Sequence, residues 1–407
     1  MRKGHLSEYF SGVAVKRLSG VDANPAKSHQ HEVGTTSEMR RFLGENNQQK
    51  FDANYLWLGN EQEGFSHSDF ATHYDTRLNQ PNRSPEWRLY YSSNPVTELM
   101  QEGDTLFLAK RPNEQLMFIV VPPHSTIENQ LLWLFGFDSQ PGLKFVVQEY
   151  ADGKNDAALD FAARFILDEL GIEFEDPDAN SLDAIINRFG LNFPTTKDFS
   201  QLARLTLPEV DARSAPDLAL MAWLNHEEAM FRRLERKVVS ARIEQGFVLG
   251  ETVDVDGFLS FSLSVQNRRK SRMGQSFEHH LAAVFDATDV PYTKGGKTER
   301  NNKPDFLFPG QTAYSDPKFP DSRLAMLAAK SICKERWRQI LPEADRIPAK
   351  HLVTLEPSIS VAQTDQMQAH RVQLVVPKPL QPSYSVAQTQ WLWSLETFIQ
   401  HVKGIIH

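Results

Sequence analysis

Residues 302–310, NKPDFLFPG, and 324–332, LAMLAAKSI, decide how this chain is read. The first sets Pro304-Asp305 at the start of a short apolar run, Phe306-Leu307-Phe308, the pattern of a buried strand with a carboxylate at its edge. The second places Lys330 inside an apolar run, where a solvated surface lysine is out of place. Metal-dependent phosphodiester cleavage needs carboxylates to hold a divalent cation, and a lysine at the same phosphate to orient the nucleophile and offset developing charge. Its usual sequence form is Pro-Asp, a gap, then an acid and a lysine on a neighbouring strand. The plain alternative is that Lys330 packs its stem at a strand end and keeps its ammonium in water. Pro-Asp also occurs at Pro177, Pro216 and Pro320, so the dipeptide alone decides little.

Outward from these strands the C-terminal half alternates helices and strands. Leu218–Gln245 reads as a long helix ended by Gly246, and Ser276–Asp286 as a helix preceding the Asp305 strand. Glu335–Leu341 reads as helical, Leu352–Leu355 and Val372–Val376 as strands, and Trp391–Ile406 as a closing helix. This order predicts a central sheet with helices on its faces. Glu278 borders the apolar stripe Met273, Phe277, Leu281, Phe285. The run Lys334-Glu335-Arg336-Trp337-Arg338 follows the lysine strand at once. Such a cluster suits major-groove reading, because Arg and Lys donate to guanine and Glu accepts from cytosine. A salt-bridged first helical turn is the dull alternative.

The first 150 residues read as mostly β. Short apolar stretches at Tyr55–Leu58, Thr105–Ala109 and Leu116–Val121 alternate with turns, and the last two form a hairpin across Pro112-Asn113-Glu114. A small barrel or sandwich follows. From Asp156 to Phe189 the pattern turns helical and acidic, a linker with short helices. The domain boundaries are therefore placed at 1–155, 156–190 and 191–407.

The 407 residues are 40% apolar and 24% charged, an ordinary globular composition. No stretch approaches the roughly 18 apolar residues of a membrane span, and no apolar signal core follows Met1, so a cytoplasmic protein without membrane association is expected. The single cysteine, Cys333, excludes an intramolecular disulfide framework and a multi-thiolate zinc site. The net charge of -8 resides in Glu149–Arg188, which holds 11 acidic and 3 basic residues, whereas Ser264–Lys303 holds 8 basic and 4 acidic. The acidity is local and leaves DNA binding open elsewhere. Gly295-Gly296-Lys297-Thr298 lacks the earlier glycine of a phosphate-binding loop, so it reads as a polar turn and no nucleotide cofactor is expected. Ser276 lacks the glycine pattern of a nucleophile elbow.

Residues 264–282 (SVQNRRKSRMGQSFEHHLA), 302–310 and 330–346 (KSICKERWRQILPEADR) strongly resemble the catalytic domain of the EcoRII family of restriction endonucleases. The likeness continues through 351–358 and 372–381 and reaches back over 227–248. It implies a restriction-endonuclease-like α/β nuclease core and a type II enzyme that cuts double-stranded DNA with Mg2+, at a CC/GG-containing site and as a homodimer. By this resemblance Asp305 and Glu343 bind the metal, Lys330 is the catalytic lysine, Glu278 is the helix-borne acid, and Tyr314 lies near the active centre. Lys334, Glu335 and Arg336, with Arg338, fall where related enzymes read C·G pairs; Lys334 stands in place of an arginine. Arg268, Arg269 and Lys270 are expected near the DNA backbone. The N-terminal half resembles, more weakly, the family's B3-like pseudobarrel effector domain, through 16–19 (KRLS), 31–34 (HEVG) and 74–77 (YDTR). That likeness implies DNA contacts from Lys16, Arg17, His31, Tyr74, Arg77, Arg83 and Arg88, and stimulation of cleavage by a second site. A non-cleaving DNA-binding regulator and a structure-specific repair nuclease are the competing classes.

Overall fold

Strand Phe306–Phe308 and strand Ala325–Lys330 do pair, and the sheet they belong to organises the C-terminal half. The computed structural model describes residues 4–23, 31–59, 64–80, 82–150, 159–174, 179–250 and 252–406; the side chains of 179, 180, 249, 334 and 335 lie outside the description. The chain divides into two compact units, Met1–Phe174 with Ser358–Ser360, and Glu175–Pro357 with Val361–His407.

Among the described residues of the first unit, eight strands form one open sheet: β1 (Gly12–Arg17), β2 (Glu32–Gly34), β3 (Gln48–Trp57), β4 (Phe65–Asp75), β5 (Trp87–Tyr91), β6 (Thr105–Lys110), β7 (Leu116–Val121) and β8 (Val146–Glu149). Their order is β2-β5-β4-β3-β7-β6-β1-β8, with β3 and β7 parallel. The expected hairpin is present as the antiparallel β6–β7 pair. Both strands are apolar at nearly every position because both faces are covered. Phe107, Ala109, Met117 and Ile119 enter one core cluster, and Leu106, Leu108, Leu116 and Phe118 the other. Strands β3 and β4 are much longer than the apolar stretch Tyr55–Leu58 suggested. Along their outer parts only alternate residues, such as Phe51 and Ala53, are buried, and the polar residues between them masked the strand.

The described residues of the acidic segment carry short helices. Helix Phe161–Glu169 is capped by Asp160, whose carboxylate accepts from the Ala163 amide at 2.8 Å, and Ile166 and Leu167 pack into the core of the first unit. Leu182 and Ile186 instead join Phe199, Met230, Phe231 and Leu234 in a core cluster of the second unit.

The second unit carries α1 (Thr196–Leu205), α2 (Pro216–Glu244), α3 (Val255–Ala287) and the sheet β11 (Thr293–Lys294), β12 (Phe306–Phe308), β13 (Ala325–Lys330), β14 (Lys350–Thr354) and β15 (Val372–Val375), after a two-stranded hairpin of β9 (Val248–Leu249) and β10 (Thr252–Val253). The five strands are ordered β11-β12-β13-β14-β15; β12 runs antiparallel to β13, and β13, β14 and β15 are parallel. Helix α3 is three times the length expected around Ser276–Asp286, because its first half leaves its apolar residues, Phe258, Leu259 and Leu263 among them, exposed and so has no buried stripe. Phe285 packs edge-on to Phe306 and Phe308, joining α3 to the sheet. Buried Asp217 accepts from the amides of Leu395 and Glu396 at 2.9 and 3.0 Å, so a carboxylate on α2 caps the closing helix Leu395–Ile406. Among the described residues no helix is long and apolar enough to cross a membrane.

The three long helices are locked by a buried ionic cluster. Glu227 is fully buried and accepts from Arg272 at 3.0 Å and pairs with His280 Nε2 at 2.8 Å. Arg204 lies 3.1 Å from His280 Nδ1, which fits a neutral imidazole accepting there and donating to Glu227; burial holds its pKa below the ordinary histidine value. Glu227→Ala leaves the Arg272 guanidinium buried without this anion. It should lower unfolding stability by about 3–5 kcal/mol, measured by urea denaturation of the full chain; a loss under about 1 kcal/mol contradicts the assigned role.

Candidate active site

The chemistry-bearing residues gather at one end of β12 and β13. Asp305 immediately precedes β12, and its Oδ2 accepts from the backbone amide of Ala329 at 2.7 Å and from Lys330 Nζ at 3.2 Å. The antiparallel register, Phe306 opposite Leu327, brings the head of one strand to the tail of the other. Both side chains keep a solvent-facing edge, with 19% of Asp305 and 24% of Lys330 exposed, so a substrate can reach them.

Glu343 comes from the crossover between β13 and β14. Its Oε2 is buried with no hydrogen-bond partner among the described residues. Burial raises its pKa to about 7; the Lys330 charge pulls it down and the Asp305 carboxylate pushes it up. Two carboxylates and an ammonium thus share one electrostatic neighbourhood. Among the described residues no three Asp, Glu, His or Cys side chains form a ready-made cation cage. An orphaned carboxylate oxygen beside a second carboxylate nevertheless suits a divalent cation, which supplies the missing partner.

Glu278 on α3 pairs with Lys294 at 3.1 Å, and Lys294 stands opposite Phe306, one residue beyond Asp305. Tyr314 is buried and donates to Glu299 at 2.6 Å; burial and that bond raise its pKa and keep the phenol protonated. It lines a cleft of about 500 Å³ with Glu299 and Arg346. The 334–338 run forms the start of a 3-10 helix, Lys334–Ile340. Trp337 is buried, Arg336 is exposed, and Arg338 stacks on Trp337 and donates to Gln366 at 2.5 Å. The side chains of Lys334 and Glu335 lie outside the described residues. Of the basic run on α3, Arg269 pairs with buried Glu235 and Arg268 stacks over Phe193 at 4.1 Å. Those two are tied into the helix layer, whereas Lys270 is exposed.

In the N-terminal unit Arg77, Glu86 and Arg88 form a half-exposed ionic group, Arg83 is exposed, and Tyr74 donates to Glu32. His31 packs against Tyr91. Lys16 departs from its expected role. It is 4% exposed and donates to Asp22 at 2.8 Å, because its place on the doubly covered strand β1 turns it inward, and it is withdrawn as a DNA contact. Arg17 is likewise engaged by buried Glu128 at 2.7 Å.

Sequence reasoning missed the residues that hold these groups. Glu356 accepts from the Cys333 amide at 2.6 Å and fixes the turn leading into Lys334–Ile340. Thr298, Glu299, Arg300 and Asn302 all bond the segment Pro342–Asp345. Lys350 lies under it, 5% exposed. Lys330 is read from its place inside an apolar run, and Lys350, at the head of the apolar strand Lys350–Thr354, carries a related signal.

Residues 231–399 match the family model of the EcoRII C-terminal domain. This part of the chain is therefore similar to that domain. Its sequence is 37% identical over 236 residues to the type II restriction enzyme EcoRII of Escherichia coli, a match covering 58% of this chain and 57% of that protein. Among solved structures it is similar to metal-depleted Ecl18kI in complex with uncleaved, modified DNA, at 18% identity and TM-score 0.45 over 56% of this chain and 84% of that one. It is also similar to the PspGI–substrate DNA complex, at 16% identity and TM-score 0.42 over 53% and 94%.

The raised Glu343 pKa has a signed consequence. Its folded value lies above the ordinary 4.5, so its contribution to stability is present in full below pH 4.5 and is lost as pH rises through about 7. Without divalent cation, unfolding stability should therefore fall more between pH 5 and 8 in the wild type than in Glu343→Gln, as read from denaturation curves at both pH values. Equal slopes remove the assignment of Glu343 as a desolvated acid.

Proposed function

We propose that this chain is a type II restriction endonuclease that hydrolyses phosphodiester bonds of double-stranded DNA with Mg2+, at a CC/GG-containing sequence. The observation that carries the reading is the convergence of Asp305, Lys330 and Glu343 at one strand end, within the part of the chain that resembles EcoRII. Asp305 and Glu343 would hold the cation, which when bound stabilises charge on the scissile phosphate and acidifies water. Lys330, beside Asp305, orients the attacking water and offsets negative charge that builds on the phosphate oxygens. Asp305 is fixed by the Ala329 amide and keeps a solvent-facing edge. Glu278 and Tyr314 flank the site.

In this reading Lys334, Glu335, Arg336 and Arg338 face the base edges, and Lys270 with Arg268 and Arg269 the backbone. A homodimer matches the two-fold symmetry of a duplex site. The N-terminal domain (1–155) serves as an effector module, contacting a second copy of the sequence through His31, Tyr74, Arg77, Arg83 and Arg88. The acidic linker (156–190) joins it to the catalytic domain (191–407), and a cytoplasmic location suits an enzyme of DNA. One- and two-site plasmids test the effector role.

Asp305→Ala and Lys330→Ala should each abolish Mg2+-dependent plasmid cleavage while leaving binding of specific duplex in chelator within about twofold. Arg336→Ala should lose about 1–3 kcal/mol of discrimination at one base pair, measured by competition with single-substituted duplexes. Discrete bands from the wild type separate this reading from a repair nuclease, which gives smears. Wild-type binding without cleavage at any Mg2+ concentration would favour a regulator and overturn the proposal.

A further inference from the structure

The segment that carries Glu343 has no regular hydrogen-bond ladder of its own. It follows the 3-10 helix Lys334–Ile340 and precedes β14, and at its centre Ala344 adopts a left-handed backbone, φ 50°, that a residue with a Cβ rarely takes. A short crossover with a strained centre does not hold a carboxylate in place unless something outside it does.

Two groups do so from opposite sides. From below, Lys350 projects from the first position of β14 into the turn. All three of its ammonium donors are spent on carbonyls of the same segment: Glu343, Ala344 at 2.7 Å and Ile347 at 2.6 Å. A buried ammonium is costly to desolvate, and here carbonyl dipoles converge on it. From above, the loop after β11 closes over the turn. Asn302 Nδ2 donates to the Pro342 carbonyl at 2.7 Å, and the Ala344 amide donates to the Thr298 hydroxyl at 3.3 Å. That loop pays with its own left-handed residues, Arg300 and Asn301, at φ 57° and 61°. The same loop begins at Gly295, whose amide donates to the Asp305 carbonyl at 3.0 Å. One loop therefore touches the backbone of Asp305 and of the residues on either side of Glu343.

From these contacts we infer that Lys350 and Asn302 are positioning residues: together they clamp the Pro342–Ile347 turn so that the orphaned Glu343 carboxylate is held toward Asp305, ready for a divalent cation. The inference rests on the nuclease reading above and extends it to two residues that touch neither metal nor DNA. Groups that orient a metal ligand in this way commonly govern affinity for the ion more than the fold.

The test uses the full chain and Mn2+ as a probe, titrated calorimetrically without DNA. Mg2+ dependence of cleavage and duplex binding in chelator are measured alongside. Lys350→Met keeps the stem and removes the donors. It should weaken Mn2+ binding, and raise the half-saturating Mg2+ concentration, by about tenfold or more. Metal-free duplex binding should stay within about twofold of wild type, since Lys350 lies beneath the site. Asn302→Ala, at a partly exposed position that the fold tolerates, should shift both metal readouts the same way by a smaller factor, and it carries the test if Lys350→Met does not fold. Metal responses of Asn302→Ala and of folded Lys350→Met equal to wild type overturn the inference and leave the nuclease reading standing. Metal-free DNA binding that falls as far as metal binding also overturns it, because the role is then general to the fold. A wild-type chain that binds no Mn2+ and cuts no DNA removes the nuclease reading, and the clamp with it.

Discussion

The bond from the Ala329 amide to the Asp305 carboxylate is the constraint on which the site depends. An amide at the end of a sheet strand has to be satisfied, and here a side chain from the neighbouring strand does it. That contact ties the head of β12 to the tail of β13, beyond the ladder of the two strands, and holds one Asp305 oxygen in place. It also brings Lys330, the next residue of β13, within 3.2 Å of the same carboxylate. The pair is covered from behind by Phe306 and Leu327, both fully buried, so neither strand can slip by one residue without turning its apolar set to solvent.

Around this pair the molecule assembles charge in graded environments. Glu227, Arg272 and His280 are buried and paired with one another, which makes them a lock among helices and not a reactive group. Asp305 and Lys330 are partly open and paired. Glu343 is desolvated and left with an oxygen that nothing satisfies. Only the last of these is in a state that a cation improves, so the distribution of unsatisfied groups, more than the number of acids, marks where chemistry belongs.

The N-terminal unit shows how a position on a sheet overrides residue type. Lys16 and Arg17 are consecutive and basic, the kind of pair expected to meet phosphate. Strand β1 is covered on both faces, so each finds a carboxylate inside the protein, Asp22 for one and Glu128 for the other. On the β5 side of the same sheet, Arg77 and Arg88 share Glu86 and keep a third of their surface in water.

The amino-acid sequence by itself determined the order of elements in the C-terminal half, the β6–β7 hairpin, the mostly β character of the first unit, and the identity of Asp305 and Lys330. Each of these is written locally, in the period of apolar residues or in a polar residue interrupting an apolar run. Long strands β3 and β4 were illegible, because half-exposed strands carry polar residues that weaken the periodic signal, and so was the first half of α3, whose apolar residues are exposed and mark no buried stripe. The role of Glu343 entered through resemblance, not through spacing. Only the tertiary structure decided that its carboxylate is buried and unpaired, that Lys350 and the 298–302 loop hold its turn, and that Lys16 faces inward. These depend on contacts between segments up to 46 residues apart, which no local pattern encodes, and on the burial of a charge, which exists only once the surrounding elements have packed.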